Sequence, residues 1–562
     1  MDEALRLIPL SSLEKVFADE APTAAAVSEG KAQVSVLRNE RFSFQVAWHW
    51  NAFTLDAVRV QVVSPLHAHI RLYQVGLVPC ELPNWHGHDA HVLRTAPGLF
   101  PDPLLSVPKQ GLQLLPDQWR SLWVEVDGTE HPLPEGTHEI RIVFTHAERV
   151  LGETGLTLTV LPAELPAQTL LHTQWFHADC LAVHYGEEIF SEAHWSRIAQ
   201  YMDIAVRHGI NTLLTPLFTP PLDTAVGAER PTVQLVDVWR QEDGEGTVSY
   251  RFGFDRLRRW LSLGDSLGVR VFEMSHLFTQ WGAAHAPKIV AMLQAGHMER
   301  IFGWDTDATG AAYTAFLDAF LPELKAFLSQ AGYAERVMFH VSDEPTLEHV
   351  ASYQSAAAVL RRHLGDTPVM DALSDFAFYE KGLVANPVPA NNHIQPFLDA
   401  GVPDLWTYYC CAQHQLVPNR FFSMPSARNR ILGMQLFKHR MAGFLHWGFN
   451  FWNTRLSVRP LDPFRETDAG GAFPGGDAFL VYPGPEGPIP SLRMKVLAEA
   501  LQDMRALQAL SKKIGFEATV ALLEEGLDTP LTFDTYPREA GWLLAVRERI
   551  NRALVQNIAP TV

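Results

Sequence analysis

Asp343 and Glu344 are adjacent carboxylates that directly follow Val337-Met338-Phe339-His340-Val341, a run built for burial. Two acids at the end of a buried strand cost free energy unless something there uses their charge. Other acid pairs, Glu187-Glu188, Glu242-Asp243 and Glu524-Glu525, lie in polar or helical surroundings where a solvated face accounts for them. Neighbouring carboxyls cannot face each other across a sugar at about 5 Å, as the ordinary retaining glycosidase mechanism requires. Side by side they suit a substrate-assisted route, in which a 2-acetamido oxygen of the sugar attacks the anomeric carbon and forms an oxazolinium ion. In that route the first acid stays ionised, holds the amide N–H and offsets positive charge. The second donates a proton to the leaving oxygen and then activates water. Like charges this close push their ionisations apart, which separates the two roles.

Such a pair needs a scaffold. From Thr169 onward, short apolar strands alternate with amphipathic helices. Eight strands are expected, within 173–180, 211–216, 269–276, 337–344, 368–375, 388–393, 404–410 and 443–450, the sixth being the weakest. In the segment 314–332, Phe316, Leu317, Phe320, Leu321, Leu324, Phe327 and Leu328 form one stripe at helical spacing. Gly209, Gly268, Gly332, Gly365 and Gly443 are read as residues that close helices just before a strand. Eight strand–helix units argue for a (β/α)8 TIM-like barrel over 164–510, whose active site lies at the C-terminal strand ends. There Asp343 and Glu344 end the fourth strand.

Residues 1–163 read differently. Stretches 35–50, 55–64, 69–78, 121–128 and 137–146 alternate with period two and are broken by Pro/Gly signals, which predicts an N-terminal β-sandwich. Segment 162–168 is a linker, and 511–562 is a short C-terminal helical extension on the outside of the barrel.

Composition bounds the function. The chain has 562 residues, too many for one core, and is 47% hydrophobic, far from a disordered profile. Its formal net charge of −18 and lack of a basic cluster disfavour nucleic acid and anionic membrane as partners. No apolar run reaches about 18 residues, so no membrane insertion is expected. The start has an acidic first turn and no apolar core of a leader, which predicts no signal peptide. Cys80, Cys180, Cys410 and Cys411 form no CxxC arrangement, so reduced thiols and a cytoplasmic location are expected, with no disulfide framework.

HVSDEP (340–345), GFLHWGFNFWN (443–453) and GDAFLVYPGPEGPIPSLR (476–493), with the preceding sandwich, resemble glycoside hydrolase family 123. The resemblance covers the chain except its last 50 residues or so. It implies a β-N-acetylgalactosaminidase acting by the acetamide-assisted route, with Asp343 orienting the acetamide and Glu344 as acid/base. It implies no cofactor, and a small glycan or glycoconjugate as substrate.

Other strand ends offer a sugar-binding wall. Trp406, Tyr408 and Tyr409 end the seventh strand, and His446, Trp447, Asn450 and Trp452 end the eighth. Indole and phenol rings cover sugar C–H faces and carry a polar tip. Strand alternation sends about half of such residues outward. A hydroxyl of Tyr408 or Tyr409 is placed to bind the acetamide oxygen. Asp179, His276 and Asn392, ending strands one, three and six, are further candidates, as are Asp477 and Arg493. The Gly/Pro-rich span 467–490 is expected to loop over the mouth.

Three other readings are open. A zinc hydrolase would gather histidines from several strand ends, but the fifth strand has none, so no metal is expected. A retaining glycosidase with a protein nucleophile would use Glu273 opposite Glu344 and accept sugars without an acetamide. A carbohydrate-binding protein without turnover is the third. The aromatic-rich sandwich leaves a homodimer open.

Overall fold

The computed structural model describes residues 4–22 and 34–556. Ten strands between Leu5 and Leu161 form two five-stranded sheets. One runs Leu5–Ser11, Arg41–Trp50, Gln118–Asp127, Ile70–Cys80, Gly98–Ser106 in spatial order. The other runs Val34–Leu37, Arg149–Leu161, Gly136–His146, Leu55–Val63, Leu112–Leu114. Phe44, Val46 and Trp48 of the first sheet share one core with Val58, Ile140, Ile142 and Phe144 of the second. The Trp48 and Phe144 ring centroids lie 6.0 Å apart across the interface. The period-two pattern thus produces two facing apolar surfaces.

The chain then forms eight parallel strands: β1 Leu171–Gln174, β2 Thr212–Thr215, β3 Val271–Met274, β4 Val337–Met338, β5 Met370–Ala372, β6 Asn386–Val388, β7 Trp406–Tyr408 and β8 Gly443–His446. Six of them form one sheet, in the order β4-β3-β2-β1-β8-β7. The β5–β6 pair is a separate parallel ladder. Single parallel bridges, Phe339 to Val369 and Ala390 to Tyr408, link that pair to β4 and β7.

Alternation along these strands sorts two cores. Trp175, Leu214, Met338, Met370, Ala372, Val388, Trp406, Tyr408 and Leu445 point inward into one compact cluster. Leu213, Phe272, Val337, Phe339, Tyr409 and Phe444 point outward against the helices. The stripe in 314–332 lies on helix Ala311–Gln330, with all seven residues buried.

Several details depart from the sequence reading. A four-stranded sheet, Val248–Gly253, Asp237–Glu242, Ile289–Leu293 and Met298–Phe302 in spatial order, is inserted before and after the helix preceding β3. Its Tyr250 and Phe252 pack on Phe316 of the 311–330 helix. Gly209, Gly268, Gly332 and Gly365 adopt positive φ as helix terminators do, but Gly443 does not. Gly443 sits inside β8, where a Cβ would come within 2.1 Å of the Trp406 ring; the site demands glycine because an indole lies on its backbone.

The helix Leu492–Ile514 runs through position 510, across the boundary expected between barrel and extension. That helix is buried along most of its length because the sandwich covers it. Arg493 pairs with Asp102 (2.8 Å), Lys495 with Glu125 (2.6 Å), and Ser12 donates to Glu499 (2.7 Å). The final helix, Ala540–Val555, touches the sandwich as well, through Glu548 and Asn551 to Ser35. Among the described residues no helix is long and apolar enough to cross a membrane.

Candidate active site

A cleft of about 300 Å³ opens at the C-terminal strand ends, and both Asp343 and Glu344 line it. Four anchors fix the turn that carries them. Asp371, just after the start of β5, accepts the backbone N–H groups of Val341 (2.9 Å) and Ser342 (3.1 Å). The Ser342 hydroxyl donates to the Thr279 carbonyl (3.0 Å), and Trp281 N–H donates to the Asp343 carbonyl (3.0 Å). Glu344 N–H donates to the Ala372 carbonyl (3.0 Å). Glu344 adopts φ +44°, a left-handed conformation that costs a non-glycine residue about 1–2 kcal/mol. Asp223 (φ +40°) and Trp281 (φ +58°) line the same cleft in the same unfavourable region, so local strain concentrates around the acids.

The Tyr408 hydroxyl donates to Glu344 Oε1 at 2.6 Å. Burial, then the adjacent Glu344 carboxylate, push the Asp343 carboxyl well above the usual carboxylate range. In the free protein the charged form of Asp343 is thus disfavoured. Trp447 lines the cleft with its indole N–H held by Asp477 Oδ2 (3.0 Å). Asp477 itself is buried beneath that ring, and burial raises its carboxyl to about 7.

The remaining sequence candidates do not line the cleft. Tyr409 points outward and packs on Phe444 (centroids 4.9 Å apart), because alternation places it opposite to Tyr408. Trp406 faces inward but one layer below, on Gly443. Trp452 is core, edge-on to Tyr201 and His184. Asn450 spends its amide on both backbone groups of His177, accepting at 2.8 Å and donating at 3.0 Å. Asp179 forms a buried bidentate pair with Arg230 (2.7 and 2.9 Å). Asn392 is exposed and accepts from Gln413 (3.0 Å). Arg493 ties the long helix to Asp102 of the sandwich. A larger cavity, about 610 Å³, lies between the sandwich and the last helix, away from the acids.

Glu273, the alternative nucleophile, is fully buried on β3. Its carboxylate accepts from Thr173 (2.5 Å), Trp175 (2.7 Å) and His340 (2.6 Å), which occupies both oxygens. His276, His340 and Asp371 form a buried group with ligand atoms within 4.8 Å of one another. Burial disfavours charge on His340, but Asp371 and Glu273 outweigh it and raise the imidazole to about 10. A metal at this group would have to displace that proton. His276 stacks on His340 at 4.3 Å, and His340 lies between Glu273 (2.6 Å) and Asp371 (3.6 Å), beneath the turn that carries the acid pair.

Sequence reasoning missed much of the wall. Trp85 reaches the cleft from the sandwich, its indole N–H donating to the Cys411 carbonyl (2.7 Å). Its segment, LPNWHGHD, carries no signal beyond turn residues. Trp175, Asp223, Gln280, Trp281, Arg455 and Phe473 also line the cleft, as do Cys410 and Cys411. Phe473 comes from the span expected to loop over the mouth. Of these, Trp175 had a usable signal, since it directly follows β1.

The pattern matching the catalytic domain of glycoside hydrolase 123 spans residues 175–510, more than half of the chain. The chain belongs to glycoside hydrolase family 123. This family 123 hydrolase is also similar in structure to a family 123 glycoside hydrolase from Clostridium perfringens, characterised for glycolipid glycan hydrolysis. The two share 12% identity, with 98% of each chain covered and a TM-score of 0.72, which establishes a common fold. Looser overlaps include a family 39 glycoside hydrolase from Bacteroides cellulosilyticus WH2 (9% identity, 77% of each chain, TM-score 0.33). A GH5 xyloglucanase from Bacteroides ovatus overlaps similarly (8% identity, 84% of this chain and 99% of that one, TM-score 0.31). Neither carries an argument about the site. No curated protein matches the sequence.

Proposed function

We propose that this family 123 hydrolase is a retaining exo-β-N-acetylgalactosaminidase that works by acetamide-assisted catalysis without a cofactor. The observation that carries the reading is the placement of two adjacent carboxyls in one cleft, while Glu273, the alternative nucleophile, has both oxygens engaged in the core. Its size, at the lower end for ligand pockets, suits one terminal sugar. The eight parallel strands are read as a distorted (β/α)8 barrel, with β5 and β6 held by single bridges. The Clostridium perfringens relative's glycolipid glycans make a glycoconjugate the favoured substrate class. Four unpaired cysteines suit a reducing, cytoplasmic compartment.

The raised Asp343 carboxyl of the free protein fits this mechanism once substrate is considered. An acetamide N–H donated to Asp343 favours its charged form, so binding moves the proton from Asp343 to Glu344. Asp343 then offsets the oxazolinium charge while Glu344 protonates the leaving oxygen. Trp447 and Trp85 offer apolar faces to the sugar.

A panel of aryl β-glycosides of N-acetylgalactosamine, N-acetylglucosamine and galactose, run on one sample, tests the reading. Only the acetamido sugars should turn over. Rapid cleavage of the galactoside would remove the acetamide route and point to Asp223, the third acid in the cleft, as nucleophile.

Tyr408→Phe removes the O–H donated to Glu344. Hydrogen bonds to charged groups contribute about 1.5–3 kcal/mol, so kcat/KM should fall roughly ten- to hundred-fold. Loss of a donor that favours the ionised pair should also move the bell-shaped pH profile of kcat/KM to higher pH. An unmoved profile would mean that the hydroxyl does not act on the acid pair.

A further inference from the structure

Cys410 and Cys411 are consecutive, unpaired and partly exposed, and both line the cleft that holds the acid pair. The other two cysteines, Cys80 and Cys180, are buried. Nothing in the hydrolytic reading uses either cleft thiol, yet their backbone is held firmly. Asn419 donates to the Cys410 carbonyl (2.8 Å) and Trp85 to the Cys411 carbonyl (2.7 Å). Gln413 Oε1 accepts both the Cys410 N–H (2.9 Å) and its thiol (3.3 Å). The thiol of Cys411 beside it, together with burial, raises the Cys410 thiol.

Two neighbouring thiols on a fixed backbone form a chelating site for a centre that takes two sulfur ligands at once. We propose that Cys410 and Cys411 form a dithiol site for trivalent organoarsenicals, and that its occupation closes the active-site cleft. With phenylarsonous acid, C6H5As(OH)2, each thiol sulfur forms an As–S bond as one As–O bond breaks. Each thiol proton leaves with a hydroxide as water, giving C6H5As(S-Cys)2 and two waters. Arsenic stays trivalent, so neither oxidant nor reductant is required. The phenyl group then occupies the cleft beside Trp85 and Trp447.

The pair is chosen over single thiols because a second ligand on the same backbone acts at high effective concentration and strengthens binding by roughly 10²-fold or more. Phenylarsine oxide, which hydrates to that acid, is the probe, with intact mass and peptide mapping as the readout. The full-length protein should gain one phenylarsenic unit less two hydrogens, mapped to Cys410-Cys411. Bound N-acetylgalactosamine should slow the reaction, and a dithiol such as 2,3-dimercaptopropanol should reverse it where a monothiol does not. Cys410→Ser and Cys411→Ser should each weaken the adduct roughly 10²-fold, with thermal melting confirming that both variants fold. Equal adducts in either serine variant, or labelling at Cys80 or Cys180, would overturn the site. Full cleavage of the aryl N-acetylgalactosaminide by the singly labelled protein would overturn cleft closure. The mass readout is independent of turnover, so failure of the proposed activity leaves this test intact. Should a serine variant fail to fold, dithiol-specific reversal in the unaltered protein still decides whether both sulfurs bind.

Discussion

Glu344→Gln should lower cleavage of an N-acetylgalactosaminide with a poor leaving group by about 10²–10⁴-fold, the usual contribution of a positioned general acid. With a dinitrophenyl leaving group, the first step should keep most of its rate, because that oxygen departs without a proton. The contrast arises because glutamine keeps the shape of the side chain and removes only its transferable proton. The left-handed turn at Glu344 is set by neighbouring backbone bonds to Ala372 and Trp281, so the substitution leaves the turn in place. Burst and steady-state rates for a leaving-group series would measure the effect. A loss independent of leaving group would show that Glu344 does not donate the proton.

Asp343→Asn is the complementary experiment and should behave differently. It should lower kcat by about 10²–10³-fold for every leaving group, comparable with removal of one oxyanion-type stabiliser. KM should change little, since the lost interaction is made mainly in the transition state. The free protein sharpens the prediction. Burial and Glu344 raise its carboxyl there, which favours its neutral form. Asparagine is a close neutral mimic of that resting state. If Asp343 stayed protonated throughout the reaction, the asparagine variant would remain nearly as active as the parent. A leaving-group-dependent loss in Asp343→Asn, paired with a leaving-group-independent loss in Glu344→Gln, would reverse the proposed roles.

The acid pair was legible because burial and charge conflict within a few residues. An apolar run ending in Asp343 and Glu344 leaves few structural explanations, and both line the cleft. The β-sandwich and the eight strands were legible for a related reason, since period two and period 3.6 are written locally. The weak sixth strand, expected within 388–393, is shifted toward the N-terminus and runs Asn386–Val388. The inserted four-stranded sheet was less legible. Its strands are short, and they pair around an intervening helix, so no single window carries the pattern.

Side-chain placement around the cleft divides more sharply. Sequence identifies which residues end a strand, but facing depends on one residue of register. Tyr408 and Tyr409 are neighbours of the same type, yet one bonds Glu344 and the other lies in the helix layer. Asp179, Asn450 and Trp452 look like sugar-binding residues and are instead bound to Arg230, His177 and the core. Their partners lie about 50 to more than 250 residues away in sequence and no local pattern announces them.

The sequence by itself determined the sandwich, the series of parallel strands and the paired carboxyls, because hydrophobic periodicity and the cost of buried charge act over a few residues. Only the tertiary structure decided that Glu273 is sealed, that Trp85 crosses from the sandwich to the cleft, and that Cys410 and Cys411 share its wall. Those outcomes depend on which distant backbone segments are brought together, and packing of the whole chain sets that.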